Sequence, residues 1–485
     1  MNVLKQRLPK SYNNLQTRMK STIYALSSGF GKCGVAVVRV SGPSASHAIL
    51  KMTRLPALPE PRKACLNKIV DPSTKEQLDN GLLLWFPKPN SYTGEDSCEF
   101  QVHGGRAVVA SILHGLSKLP NFRPAEPGEF TKRSFYNNKM DLTEVEGVSD
   151  LIDADTELQR KQALMQLEGS LRQLYSSWRR ILLENLANVE AYIDFSETDN
   201  IEDSVMVNVR SSLQKLSTDI QVHLSDNRSG ELLRDGVKVA IIGAPNTGKS
   251  SFLNFMSNRE AAIVTDMPGT TRDLVQVSLD VSGYSVILTD TAGIRTETVD
   301  VIEEIGIKKA IDQARVADLV ILIADVQHIL RANDINVWFQ EYSAKMNVDL
   351  NKCLVFVNKV DTLSIGQVNK LKTLLKSSSL ELCFGSCITN KGLTKVMAAF
   401  EKSLIELCGK PNFEHPRCSQ ARHRYYLEMA LADVKKYLED SKQDVNVDVA
   451  AEHLRRATLQ VGRITGHVST EEMLNVIFSK FCIGK

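Results

Sequence analysis

Gly243-Ala-Pro-Asn-Thr-Gly-Lys-Ser250 reads G-x-x-x-x-G-K-S, and the apolar run Val237–Ile242 stands directly before it. In a strand–loop–helix setting this octet is a phosphate cradle. Successive backbone N–H groups point at phosphate oxygens, and the following helix adds the positive end of its dipole. Asn246, Thr247, Gly248, Lys249, Ser250 and Ser251 are therefore the candidate phosphate contacts. Lys249 carries its charge to the β- and γ-phosphates, which makes it a catalytic candidate, and the Ser250 hydroxyl is a Mg²⁺ ligand candidate. Apolar runs at 286–289, 319–324, 354–357 and 382–385 follow at intervals filled by helical stretches. That alternation predicts a parallel sheet covered by helices, so residues 236–408 are expected to form a P-loop α/β domain.

The octet alone does not choose the base. Asn358-Lys359-Val360-Asp361 does, because a carboxylate accepts from both N1–H and N2–H₂ of guanine, and adenine offers no such pair. Ser386, Cys387 and Ile388 would complete the base pocket. Asp290, Thr291, Ala292 and Gly293 form a D-x-x-G that senses the γ-phosphate through Mg²⁺ and a backbone amide. Between these elements, Thr271 of Gly269-Thr270-Thr271 is the expected second Mg²⁺ ligand. Four ordered elements on one domain predict a GTPase. One part is missing: many GTPases orient the attacking water with a Gln directly after D-x-x-G, and here that position is Ile294. Glu297, Asp300, Glu303 and Glu304 are the carboxylates within reach in sequence. A monovalent cation near the phosphates would also neutralise developing charge, and Asn246 carries a side-chain carbonyl in the loop. As a lone residue, Asn246 would be read as a turn former.

The flanking regions differ in kind. Residues 22–140 mix short strand-like runs (34–40, 82–86) with turn clusters, which predicts an α+β domain. Residues 141–235 carry Leu164, Leu167, Leu171, Leu174, Trp178, Ile181, Leu186, Val189 and Ile193 at helical steps, which predicts one long helix. Residues 409–485 return to helix, with Leu454, Ala457, Val461 and Ile464 on one face. Ser469-Thr-Glu-Glu472 reads as a capping box opening a last helix through Phe481. The economical arrangement is one helical domain split by an inserted G domain. Net charge is +2, so bulk charge announces no nucleic-acid partner. No apolar run is long enough to span a bilayer. Nine cysteines at no metal-binding spacing predict buried, reduced thiols, Cys482 excepted. No Asp or Glu precedes Glu60, and residues 1–21 carry Lys5, Arg7, Lys10, Arg18 and Lys20, the composition of a mitochondrial transit peptide. The chain ends Phe481-Cys-Ile-Gly-Lys485, a C-a-a-X shape that Gly484 and Lys485 make a poor prenylation signal.

Further motifs carry a resemblance. They are Gly34-Val-Ala-Val-Val-Arg39-Val-Ser-Gly, Pro89-Asn-Ser-Tyr-Thr-Gly-Glu95-Asp96, His103-Gly-Gly, Pro127-Gly-Glu-Phe-Thr-Lys-Arg133, Ala262-Ile-Val-Thr-Asp-Met-Pro-Gly-Thr-Thr-Arg-Asp273 and the terminal F-C-I-G-K. In this order they resemble the MnmE/TrmE family of tRNA-modification GTPases, most closely its mitochondrial members, over nearly everything after Ser21. The resemblance implies a homodimer joined through an N-terminal domain that binds a tetrahydrofolate derivative, 5,10-methylene-tetrahydrofolate. Arg39, Glu99, Lys139 and Lys485 match the folate positions. It implies K⁺ beside GTP, with ligands from Asn246, Thr265, Met267 and Thr270, and a water-orienting Glu303, with Glu304 as fallback. It also implies an FAD-containing partner resembling MnmG, which together with this chain would install a glycine- or taurine-derived group at C5 of the wobble uridine of tRNA in the mitochondrial matrix. Cys482 matches a cysteine suspected of catalysis, and packing beneath Phe481 is the other reading of it. The alternative function is an Era-like ribosome-assembly switch, which would carry an RNA-binding module after the G domain instead of a split helical domain ending in F-C-I-G-K.

Overall fold

A computed structural model describes residues 21–29, 31–195, 204–259, 261–263, 276–290, 312–331, 334–346, 348–375, 381–441 and 447–485. The expected transit segment before Ser21 lies outside the described residues, as do Thr265, Met267, Thr270, Thr271, Thr291, Ala292, Gly293, Ile294, Glu297, Asp300, Glu303 and Glu304. The chain divides into two compact units, residues 1–149 with 462–485, and residues 150–461.

The first unit is built on a six-stranded sheet. Its strands are β1 (Thr22–Leu26), β2 (Cys33–Ser41), β3 (Cys65–Val70), β4 (Gln77–Phe86), β5 (Ser97–Gly104) and β6 (Phe122–Pro124), in spatial order β3-β4-β5-β2-β1-β6. Only β1 and β6 run parallel; the other pairs are antiparallel. Val38, Val40, Leu83, Phe100 and Val102 alternate onto one face, and helices Ala45–Met52 and Arg106–Ser117 cover it with Ile49, Met52, Ile112 and Leu116. This is the α+β architecture expected from the mixed runs.

Beside that core lies a buried ion network. Arg133, on helix Glu129–Tyr136, is 1% exposed. Its Nη1 donates to Glu95 Oε2 at 2.9 Å and to the Ser21 carbonyl at 2.9 Å, and its Nη2 donates to Glu129 Oε1 at 3.0 Å. Arg123 grips Glu129 from the other side. Glu95, Glu129 and Arg133 all come from the quoted motifs, and their role here is to hold the fold together.

The chain end docks into the same unit. Phe478 and Phe481 pack with Leu142, Val145, Leu474 and Ile477. The last helix spans Glu471–Ser479, but its cap differs from the expected one: Thr470, not Ser469, accepts from Met473 N–H. The capping residue is one position further on, so the Glu three residues after Ser469 does not complete a box. Gly484 has φ +100, and a Cβ there would run into the Leu26 carbonyl, so only glycine permits this approach. Ser27 Oγ donates to the Gly484 carbonyl at 3.0 Å, and Phe130 N–H donates to the Lys485 carbonyl at 3.2 Å. Phe481 and Gly484 are thus packed, while Cys482 and Ile483 are exposed.

The second unit holds the remaining strands: β7 (Val237–Ile242), β8 (Ala261–Ile263), β9 (Gln276–Val281), β10 (Tyr284–Asp290), β11 (Leu319–Asp325), β12 (Cys353–Asn358) and β13 (Leu382–Phe384), in order β13-β12-β11-β7-β10-β9-β8. Strands β7, β10, β11, β12 and β13 form the expected parallel sheet. The antiparallel strands β9 and, at the edge, β8 escaped the apolar-run reading: β8 is only three residues long, and in β9 Gln276, Ser278 and Asp280 alternate with apolar residues. Helices Lys249–Arg259 and Leu393–Cys408 cover one face of the sheet, and helices Val326–Leu330 and Ile335–Met346 the other.

The single helix expected over 164–193 is two, Glu157–Leu167 and Ser170–Phe195. Gly169, at φ +89, breaks it, because a left-handed residue cannot continue a right-handed helix. Buried thiols are fewer than expected. Cys98, Cys383, Cys408 and Cys418 are buried, whereas Cys33 is exposed like Cys482. Exposure also removes the reading in which Cys482 packs beneath Phe481. Burial pushes the Cys408 and Cys418 thiols up to about 12, so these are inert packing groups. Among the described residues no helix is long and apolar enough to cross a membrane.

Candidate functional site

The carboxyl ends of four neighbouring strands build the nucleotide site, the usual ligand position in an open parallel sheet. Strand β7 delivers the loop 243–248, and helix Lys249–Arg259 follows it. Asn246 adopts φ +60 and Gly248 φ +102, which curl the loop so that its amides converge. A Cβ on Gly248 would strike the Asn358 side chain. Lys249 Nζ donates to the Gly243 and Ala244 carbonyls at 2.9 and 3.0 Å, which folds its ammonium over the cradle. Asp290 closes β10, aligned with Ile241 of β7.

The base-reading loop is tied to the phosphate loop by Asn358, which is 2% exposed. Its Nδ2 donates to the Thr247 carbonyl at 2.8 Å. Its Oδ1 accepts from Lys359 N–H at 2.8 Å and Cys387 N–H at 3.1 Å. One buried side chain thus positions three of the sequence elements. Ser386 is buried, and its Oγ accepts from Ile388 and Thr389 N–H at 3.3 and 3.2 Å, shaping the turn that carries Cys387 and Ile388. Asp361, three residues after Asn358, is exposed.

A residue the sequence reading missed completes the site. Asp325 ends β11 in register with Asn358, and its Oδ2 lies 2.8 Å from Lys359 Nζ. Burial would raise this carboxyl, but Lys359 and the Gln327 N–H outweigh it and hold it below the usual range. The available signal was an acid at the end of the strand beside the base-reading strand. The residues present fit a guanine nucleotide with Mg²⁺: curled amides and Lys249 for phosphates, Ser250 for the metal, and Asp361 for the base.

In the first unit, Arg39 of β2 faces Glu99 of β5 in register, with Nε to Oε1 at 3.0 Å. The Arg39 guanidinium lies 5.2 Å from the Tyr92 ring and 5.8 Å from the Phe130 ring. Lys485 is half-buried nearby. Burial lowers its ammonium first and the Arg39 charge lowers it further, against opposing pulls from Glu99 and Cys482. Three of the four expected folate positions therefore share one neighbourhood. For Lys139, the Nζ contacts the Pro89 carbonyl at 3.3 Å. Two clustered cations, one acid and an aromatic face suit an anionic, planar, hydrogen-bonding ligand.

The sequence model of the MnmE helical domain matches residues 142–482, and that of the N-terminus of the GTP-binding protein TrmE matches residues 22–139. The chain is 47% identical to the mitochondrial 5-taurinomethyluridine-tRNA synthase subunit GTPB3 of Danio rerio, over 96% of this chain and 93% of that protein. It is 42% identical to the human protein of the same name at the same coverage. It is 40% identical to the tRNA modification GTPase MnmE of Rickettsia akari, over 96% of this chain and 100% of that one. With the phosphate cradle, the guanine loop and these two domain matches on one polypeptide, the chain belongs to the MnmE/TrmE family of tRNA-modification GTPases.

Proposed function

We propose that this protein is a K⁺-dependent GTPase that modifies C5 of the wobble uridine in mitochondrial tRNAs, acting with an FAD-containing partner similar to MnmG. The observation that carries the reading is the 47% identity to a mitochondrial tRNA-uridine synthase subunit along nearly the whole chain. The substituent is taken as taurinomethyl, after the names of the vertebrate relatives. Arg39, Glu99, Lys139 and Lys485 are proposed to hold methylene-tetrahydrofolate, the source of the one-carbon unit. Cys482, exposed beside that group, is the candidate thiol. A homodimer through the N-terminal domain, a basic leader over residues 1–21, residence in the matrix and a helical domain split by the G domain belong to the same reading.

For GTP hydrolysis, Asn246, Thr265, Met267 and Thr270 would hold K⁺, Ser250 and Thr271 would hold Mg²⁺, and Glu303 would orient water. The cation would supply the positive charge that an arginine finger supplies elsewhere. What supports this is Ile294 in the place of a water-orienting Gln, together with Asn246 at φ +60 in the cradle. Two measurements test the proposal. GTP turnover in K⁺ is expected to exceed that in Na⁺ by about tenfold or more, the worth of one well-placed charge; equal rates would remove the cation step. Mass spectrometry of mitochondrial tRNA from cells lacking the protein is expected to show unmodified wobble uridine. Normal tRNA with stalled ribosomal subunits would favour the Era-like alternative.

A further inference from the structure

We propose that Asp325 is a positioning residue for the bound guanine nucleotide, acting through Lys359. Each carboxylate oxygen has a separate role. Oδ1 accepts from Gln327 N–H at 2.9 Å and caps helix Val326–Leu330, while Oδ2 pairs with Lys359 Nζ at 2.8 Å. The two side chains are 13% and 31% exposed, so water screens the pair only in part. A ring of polar contacts returns to the same loop: Gln327 Nε2 donates to Thr362 Oγ1 at 3.2 Å, and Thr362 Oγ1 donates to the Lys359 carbonyl at 2.8 Å.

Lys359 is therefore held at both ends. Its backbone is fixed in the left-handed region, at φ +65, between Asn358 and Thr362, and its ammonium is fixed by Asp325. That matters because Lys359 sits between the two groups that bind nucleotide. Asn358 grips the phosphate loop through the Thr247 carbonyl, and Asp361 presents the base-reading carboxylate. A lysine stem is a flexible four-carbon chain, and without an anchor it samples many rotamers. Held taut, it makes the spacing between the phosphate loop and the base reader rigid. Released, it lets the base loop move, and the nucleotide leaves sooner.

The inference rests on guanine-nucleotide binding at this loop. It is tested on the full chain by stopped-flow release of fluorescent GDP from D325N, K359M and the double variant. Asn caps a helix as well as Asp does, so D325N removes the charge and leaves the cap. Release from D325N is expected to be about tenfold faster than from the unaltered protein, the worth of one charge-assisted hydrogen bond. K359M should show a similar rise, and the double variant should be no faster than K359M alone. That non-additivity shows that Asp325 acts through Lys359, and faster release at unchanged thermal stability is a readout a merely structural role would not produce. Release from D325N at the unaltered rate would overturn the proposal, and so would fast release from D325A alone, which would assign Asp325 to capping only. Multiplied effects in the double variant would also overturn it. Equal binding of fluorescent GDP and ADP by the unaltered protein would be a different failure, that of base recognition itself.

Discussion

Asp361→Asn is expected to weaken GTP binding by about a thousandfold, the worth of two charge-assisted hydrogen bonds at about 2 kcal/mol each. The carboxylate offers acceptors to both N1–H and N2–H₂ of guanine. An amide offers one acceptor and one donor, so with its oxygen on N1–H its NH₂ faces the 2-amino group, another donor, and that pair is lost outright. Xanthine carries a carbonyl oxygen in place of the 2-amino group and accepts from that NH₂. Xanthosine triphosphate should therefore bind the variant better than the unaltered protein. The exchange is clean because Asp361 is exposed within the short 3₁₀ turn Val360–Thr362, while the fold depends on buried Asn358 instead. Fluorescent-nucleotide titration checks it. Retention of GTP affinity to within about threefold, far below the range for a lost ionic pair, would assign base reading to another group.

Arg133→Leu is expected to destabilise the N-terminal unit by about 3–5 kcal/mol, the range for removing one partner of a buried ion pair. Leucine fills part of the volume but leaves the half-buried Glu95 without this cation, while Glu129 keeps Arg123. The Ser21 carbonyl at the start of β1 also loses its donor. Arg133→Lys should rescue little, because one ammonium cannot reproduce a planar fork serving three acceptors. The pH dependence follows from Glu129. Burial pushes its carboxyl up, but hydrogen bonds from Arg123 and the Glu126 N–H, with the charges of Arg133 and Arg123, bring it below the usual range. A depressed folded value adds stability that is present above the unfolded value near 4.3, and it is lost as pH falls through the folded one. The unit should therefore weaken in acid, with a shallower slope in Arg133→Leu. Hydrogen exchange of β1 and β2 amides at neutral and acid pH reports both effects. A loss under about 1 kcal/mol would mean the network is neutral.

The readable parts of this molecule share one property. The phosphate loop, the Asn358–Asp361 loop and the Ser386–Ile388 turn each act through contiguous backbone or adjacent side chains. Residue type and spacing along the chain therefore carry their geometry. The same holds for the strands β7, β11 and β12, whose apolar runs, broken in β7 only by exposed Lys238, mark burial on both faces. Strand β9 was not readable in that way, because polar residues alternate with apolar ones along it and leave no continuous apolar run. The break at Gly169 was not readable either, since the apolar spacing runs straight through it and only the observed φ of +89 ends the helix.

By itself the sequence determined the guanine nucleotide, the α/β character of the domain that binds it, the α+β character of the N-terminal region and the family. Only the tertiary structure decided that Arg133 is a buried strut, that Asp325 anchors Lys359, that Arg39 meets Glu99 across two strands, and that Lys485 turns in beside them. The physical reason is register. A pair formed across a sheet or by a docked chain end depends on which residues hydrogen bonding places opposite each other, and spacing along a single strand does not state that.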